Sequence, residues 1–323
     1  MLPMMKKNIL TIKLPEGAIP VMAASAVYLA VMMLLTGLQA MPWIVVVAFN
    51  LCFYLGKGSR RFILGFAVFI FFGLLYDVMR VFPNYSYHPV DIAPLYRLEK
   101  ELFGISSHGL RVTLNEFFAA NRTVAGDLVS GIFYINWIPV PLAFALYLYY
   151  TDRELFLHFS LTFLFVNLLG FCIYYLHPAA PPWYVARYGF AFHPGTHGET
   201  AGLAGFDRLI GFDLFKAIYT KNSNVFAALP SLHSAYPVVV LWYGIRARCG
   251  GFNILFGIFM AGIWFAALYS GHHYLVDVIL GVVCAITGIL IYRNILEKQS
   301  FYRKFIAAYL RLISASGEPV AEA

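Results

Sequence analysis

Eight runs of apolar residues, almost free of charge, dominate this chain: about 18–38, 41–56, 62–76, 132–150, 155–176, 230–246, 253–270 and 274–293. A bilayer core about 30 Å thick takes roughly 20 such residues per helix. Backbone polar groups in hydrocarbon must be satisfied within the segment itself, which makes each run a helix. The chain is 61% apolar and 12% charged, against about half and a quarter in ordinary globular domains. The expected fold is therefore all-α, a polytopic transmembrane helical bundle of about eight spans forming one integral membrane domain over residues 1–323. The first run is longer than the apolar core of a secretory leader, so it is read as a span.

Basic residues orient these spans, because short cytoplasmic loops collect Lys and Arg. Lys6, Lys7 and Lys13 precede the first run, Lys57, Arg60 and Arg61 separate the second and third, and Arg153 separates the fourth and fifth. Arg246 and Arg248 lie between the sixth and seventh, and Arg293, Lys298, Arg303, Lys304 and Arg311 follow the eighth. All fall on one side if both termini are cytoplasmic. Two long loops, about 77–131 and 177–229, then face the extracytoplasmic (periplasmic or lumenal) side. The net charge of +7 is explained by attraction of the cytoplasmic loops to anionic headgroups, and no nucleic-acid motif is present. Cys52, Cys172, Cys249 and Cys284 are dispersed, without the spacing of a metal site or redox pair. The segment 295–314 sets Phe301, Phe305, Ile306, Tyr309, Leu310 and Ile313 among basic residues, as an interfacial amphipathic helix does. Ser316 to Ala323 is expected to be disordered.

The chemistry-bearing residues gather at one membrane surface. His273 and Asp277 open the eighth run, four residues apart and so on one helical face. A carboxylate accepting the ring N–H fixes the tautomer and stabilises positive charge as the other nitrogen attacks phosphorus. Pro230-Ser231-Leu232-His233-Ser234 opens the sixth run. A proline suits a helix start, whose unpaired N–H groups favour a phosphate oxygen; Ser231 and Ser234 add hydroxyl donors. His233 is placed to protonate a departing alkoxide and to recover the proton from an acceptor. As an isolated pair, His273 and Asp277 also fit an interfacial polar contact; the second motif is what points to catalysis.

Pro-Ser-x-His followed by His-x-x-x-Asp resembles the second and third motifs of the type 2 phosphatidic acid phosphatase superfamily. A closer resemblance, to inositol phosphorylceramide synthases of the fungal type and their bacterial relatives, runs through Ala180-Pro181-Pro182-Trp183-Tyr184, residues Gly202 to Leu209, Ala227 to Ser234, and Tyr269 to Asp277. The resemblance implies a six-helix core and a triad in which His273 forms a phosphohistidine, Asp277 orients it and His233 serves leaving group and acceptor. It implies no metal and no cofactor. Two departures stand out. The superfamily's first motif, Lys followed by Arg-Pro, has no counterpart, and Ala267 stands where its third motif carries Arg. Phosphoryl transfer needs its equatorial oxygens clamped, so other cations are expected to substitute: Arg208 first, then Arg80, Arg97, Lys100 and Lys221.

Other signals carry less. His193 and His197 have metal-like spacing, but Pro194 and Gly195 oppose the helix that would align them. Trp183 and Tyr184 suit an aromatic belt. The 77–131 segment is too long for a plain connector and is expected to form short helices over the site, with Asp77, Asp91, Glu99, Glu101 and Glu116 available to a polyol or to salt bridges.

The function expected is transfer of inositol phosphate from phosphatidylinositol to ceramide with release of diacylglycerol, on the extracytoplasmic face. A lipid phosphate phosphatase shares the same triad and differs only in admitting water; a noncatalytic lipid transporter or scaffold is the reading from another class. The partners expected are membrane lipids, with neither nucleic acid nor an obligatory protein partner.

Overall fold

The computed structural model describes residues 17–220 and 224–314; Lys6, Lys7, Lys13, Lys221 and the tail from Ser316 to Ala323 lie outside the described residues. These fall into two compact units, one ending at Phe66 and one beginning at Ala67.

The first unit holds α1 (Ala18–Thr36) and α2 (Ala40–Leu55), and α3 (Lys57–Val78) starts in it. Asn50 Nδ2 donates to Ser25 Oγ at 2.8 Å, joining two otherwise apolar helices. Most large side chains of α1 and α2, such as Leu34, Ile44 and Leu51, are exposed, as suits helices whose solvent is hydrocarbon rather than water.

In the second unit the loop expected over 77–131 becomes α4 (Ala93–Phe103), a hairpin of β1 (Ile105–Ser107) and β2 (Leu110–Val112), α5 (Leu114–Ala120) and the start of α6 (Val124–Tyr134). The hairpin pairs Ile105 with Val112 and Ser107 with Leu110. His108 and Gly109 both take positive φ at its tip, the geometry a two-residue turn requires. Next come α7 (Pro139–Thr151), α8 (Arg153–Leu176), α9 (Pro182–Tyr188), α10 (Ala204–Ile210) and α11 (Leu214–Tyr219). The chain then enters α12 (Leu232–Arg246), α13 (Phe252–Tyr269), α14 (Leu275–Ile291) and α15 (Ser300–Ile313).

Among the described residues five helices are long and apolar enough to cross a membrane: α1, α3, α8, α13 and α14 with its continuation to Leu296. The chain is an integral membrane protein. The run expected at 132–150 is part of a broken element, since α6 with its following turn meets α7 at 43°. Pro139 opens α7; lacking an N–H and clashing with the preceding turn, it ends one helix and starts another. The runs at 41–56 and 230–246 are shorter helices of 16 and 15 residues.

α12 sits at the centre, packed on α8, α13 and α14. Two of its buried hydroxyls are paired with α8: Tyr236 donates to Asn167 Oδ1 at 2.6 Å, and the Tyr243 and Thr162 hydroxyls meet at 2.7 Å. On α15, Tyr302, Ile306, Leu310 and Ile313 are buried and Phe301, Phe305 and Leu312 face outward; the helix packs along α8.

Candidate active site

Two helix starts build the site. Ser231 caps α12, its hydroxyl oxygen accepting from the Ser234 N–H at 3.3 Å and from the Ser234 hydroxyl at 3.0 Å. At α14, Asp277 Oδ2 accepts the Tyr274 N–H at 2.8 Å. The next two free N–H groups are taken from outside the helix: Glu99, reaching over from α4, accepts Leu275 N–H on one carboxylate oxygen and Val276 N–H on the other, each at 3.0 Å. A carboxylate at a helix N-terminus satisfies orphan donors and complements the dipole. The two starts are joined directly, Ser231 N–H donating to the Asp277 carbonyl at 2.9 Å. This close approach needs Gly281, where a Cβ would stand 2.2 Å from the Ser231 carbonyl oxygen.

His273 follows the turn after α13. Asn115 Nδ2 holds its carbonyl at 2.9 Å and that of Leu268 at 2.8 Å. Its Nδ1 lies 3.0 Å from the Ala228 carbonyl oxygen and 3.6 Å from Asp277 Oδ2. A carbonyl can only accept, so Nδ1 carries the proton and Nε2 keeps its lone pair. The aspartate, expected to accept this proton, lies beyond hydrogen-bond length and acts as a buried negative charge behind the ring; the backbone carbonyl is the direct partner. The Ala228 carbonyl is set by a short backbone ladder, with Ala180 N–H donating to Asp91, Ala179 N–H to Phe226 and Ala228 N–H to Ala179.

His273 Nε2 faces His233 Nδ1 at 3.2 Å. Tyr134 stacks on His233 with ring centroids 5.2 Å apart, and Trp137 meets it edge-on at 4.4 Å. The neighbouring His272 lies against Ser270 Oγ at 2.9 Å and the Glu199 carbonyl at 3.2 Å. Burial pushes the His272 imidazole down to about 3, so His272 is neutral.

A cavity of about 130 Å³ contains this cluster; His233, His272 and His273 line it together with Tyr76, Tyr134, Trp137, Trp183 and Tyr219. A larger one of about 800 Å³ lies outside it, lined by Glu116, Arg122, Arg187, Glu199 and Ser270 among others, and Trp183 borders both.

The structure thus brings His233, His273 and Asp277 together. It places those expected phosphate-binding residues that it describes elsewhere. Ser231 and Ser234 are buried against each other and line neither cavity. Arg208 is exposed on α10, Arg97 is exposed on α4, Arg80 pairs with Asp77 at 3.2 Å, and Lys100 donates to the Tyr96 hydroxyl at 3.0 Å. None of these four lines either cavity. Of the acidic residues, Asp91 accepts the Leu95 N–H and Glu116 forms the N-terminal capping box of α5. Among the described residues no group of three His, Cys, Asp or Glu side chains is arranged to hold a metal.

Several functional positions escaped the sequence reading. Glu99, which by sequence suits a headgroup contact or salt bridge, is a helix cap; burial raises its carboxyl pKa, opposed by the two N–H groups it accepts. Arg122 donates to Asp127, to the Gly202 carbonyl at 2.8 Å and to the Tyr269 carbonyl at 3.1 Å, fastening the 202 loop to the end of α13. Tyr134 lies in an apolar run, where nothing distinguishes it from core.

Comparison with known proteins places these elements in context. Residues 94–291 match the family described as the PAP2 superfamily. The chain is 45% identical over 293 residues to the phosphoinositol dihydroceramide synthase of Bacteroides thetaiotaomicron, covering 89% of this chain and 96% of that protein. It is 27% identical over 248 residues to the inositol phosphorylceramide synthase of Candida albicans, covering 75% of this chain and 50% of that one. With the inositol phosphorylceramide synthase catalytic subunit of Saccharomyces cerevisiae it shares 28% identity over 254 residues, 75% of this chain and 60% of that one. No solved structure matches the chain significantly.

Proposed function

The chain belongs to the PAP2 superfamily, and from that membership we propose that it is a lipid phosphotransferase moving phosphoinositol from phosphatidylinositol to a ceramide-type acceptor. The observation that carries the reading is the orientation of His273, whose Nδ1–H is held by a backbone carbonyl so that the Nε2 lone pair faces the cavity shared with His233. The relative that matches along nearly its whole length is named a phosphoinositol dihydroceramide synthase, which favours dihydroceramide as acceptor.

In the first half-reaction His273 Nε2 attacks phosphorus, the N–P bond forms and the bond to the diacylglycerol oxygen breaks. His233 gives its proton to that oxygen. The imidazolium character that develops on His273 is stabilised by the buried Asp277 carboxylate 3.6 Å away. In the second half-reaction the acceptor hydroxyl returns a proton to His233 and attacks phosphorus, the N–P bond breaks, and His273 is restored. Phosphorus must stand about 3–3.5 Å from its nucleophile, so substrate parts two rings now 3.2 Å apart. All this chemistry is assigned to side chains.

The distribution of Lys and Arg supports cytoplasmic termini and a site on the extracytoplasmic face. The resemblance to six-helix enzymes supports a single catalytic domain. The test is purified protein with inositol-labelled phosphatidylinositol, with and without dihydroceramide: labelled phosphorylated sphingolipid formed only with acceptor supports transfer, while equal release of free inositol phosphate in both rejects it in favour of a phosphatase.

A further inference from the structure

On the transferase reading the histidine cluster receives a phosphate, yet no Lys or Arg lines its cavity among the described residues. The cavity has phenols instead. Tyr134 on α6 is fully buried, with its ring over His233 and 5.6 Å from that of His272. Its hydroxyl makes no hydrogen bond of regular geometry among the described residues, and the group it interacts with is the Tyr219 hydroxyl, in a loose hydrogen-bonding contact. Tyr219, on α11, sets its ring 4.3 Å from His272. Both tyrosines line the cavity that holds His233 and His273. Two phenols that face each other can satisfy only one of their two hydroxyl protons, and a buried donor left over is costly; beside a nucleophile the pair is placed to turn toward an incoming acceptor.

We propose that the Tyr134 and Tyr219 hydroxyls do the work of the superfamily's missing cations, donating to the non-bridging oxygens of the bound phosphate, and that this uncharged clamp restricts the site to phosphodiester monoanions. The inference rests on the transferase reading and deepens it. A phosphodiester brings one negative charge, which two phenol donors, the partial positive charge of the α12 N-terminus and the histidines can stabilise. A phosphomonoester, whose second proton leaves near pH 6, brings almost two, and burying the second without a cation is strongly disfavoured. The same cavity therefore accepts phosphatidylinositol and turns away phosphatidic acid, which separates this transferase from a phosphatase built on the same triad. Burial pushes the Tyr219 hydroxyl pKa up, which keeps it a donor.

The test compares wild type, Tyr134→Phe, Tyr219→Phe and Lys221→Met, purified in detergent and matched by melting temperature, on phosphatidylinositol with dihydroceramide and on phosphatidic acid. The phenylalanines keep the rings and remove only the hydroxyls. Each is expected to lower kcat about 10²-fold, the loss typical of removing one oxyanion donor, with little change in KM for dihydroceramide. Wild type should hydrolyse phosphatidic acid at least about 10²-fold more slowly than it transfers from phosphatidylinositol. Wild-type transfer with undiminished turnover in both phenylalanine variants overturns the clamp and leaves the transferase reading standing. So does a Lys221→Met variant that loses turnover while the tyrosine variants keep it. A wild type that hydrolyses phosphatidic acid and transfers nothing overturns both. If one tyrosine variant melts early, the other decides.

Discussion

His233 Nδ1 lies 3.2 Å from His273 Nε2, although forty residues and two membrane-directed helices separate them in sequence. The surroundings of the two rings differ. His273 has its other nitrogen fixed by the Ala228 carbonyl, whereas His233 is packed between Tyr134 and Trp137. On the proposed mechanism only the former is held as a nucleophile must be.

That asymmetry separates the variants kinetically. His273→Ala should abolish transfer with every donor. His233→Ala should fail with phosphatidylinositol but regain the first half-reaction with a phosphoinositol donor whose leaving phenol has a pKa of about 7, since such a group departs without an acid. Burst kinetics with the activated donor checks this; equal loss in both variants would contradict the assignment.

Asp277→Asn should be milder than replacement of a tautomer-setting aspartate in a serine protease, where kcat falls about 10⁴-fold. Here the Ala228 carbonyl still holds Nδ1–H, so only the charge is lost and a fall of about 10- to 10²-fold in kcat is expected. A fall as large as that of His273→Ala would show that the carboxylate sets the tautomer after all.

Glu99→Ala leaves the Leu275 and Val276 N–H groups without their acceptors, at a cost of about 2–4 kcal/mol for two buried donors. The pH dependence follows from burial, which raises the Glu99 pKa in the folded protein. A carboxyl that holds its proton more tightly when folded stabilises most at low pH. Its contribution declines as pH rises from about 4.3, the ordinary glutamate value, through the raised one. Melting temperatures of wild type should therefore fall more steeply over that window than those of Glu99→Gln. Parallel curves would remove Glu99 from the linkage.

Gly281→Ala puts a methyl group 2.2 Å from the Ser231 carbonyl oxygen and forces α12 and α14 apart where both histidine motifs begin. Overpacking of this kind costs about 1–3 kcal/mol, and a displacement of about 1 Å at a catalytic pair costs about 10²-fold in rate. Assays of stability and turnover on the one variant should show both losses; unchanged turnover would mean that this contact does not set the distance between the rings.

What was legible in the sequence had local causes. His273 and Asp277 share a helical face by spacing alone, and Pro230 with Ser231 marks a helix start whatever surrounds it. The positions that escaped notice depend on the fold. Glu99 meets its partners 176 and 177 residues away, and the Ala228 contact is made by a backbone carbonyl that any residue would supply. The break at Pro139 does not show in hydropathy, which defines the 132–150 run and does not register a proline's missing N–H. The cations expected around the phosphate were sought by charge and position. Where the structure describes them they stand outside the cavity, which is lined by aromatic residues that composition assigns to core.

The most direct measurement is capture of the covalent intermediate. Purified protein mixed rapidly with inositol-labelled phosphatidylinositol, without acceptor, and quenched in alkali to preserve a phosphoramidate should carry phosphoinositol on the peptide containing His273. The label should be absent in His273→Ala and should pass to sphingolipid when dihydroceramide is added before the quench. Product formation at full rate with no labelled peptide, or label on His233 instead, would contradict the central assignment of His273 as the nucleophile.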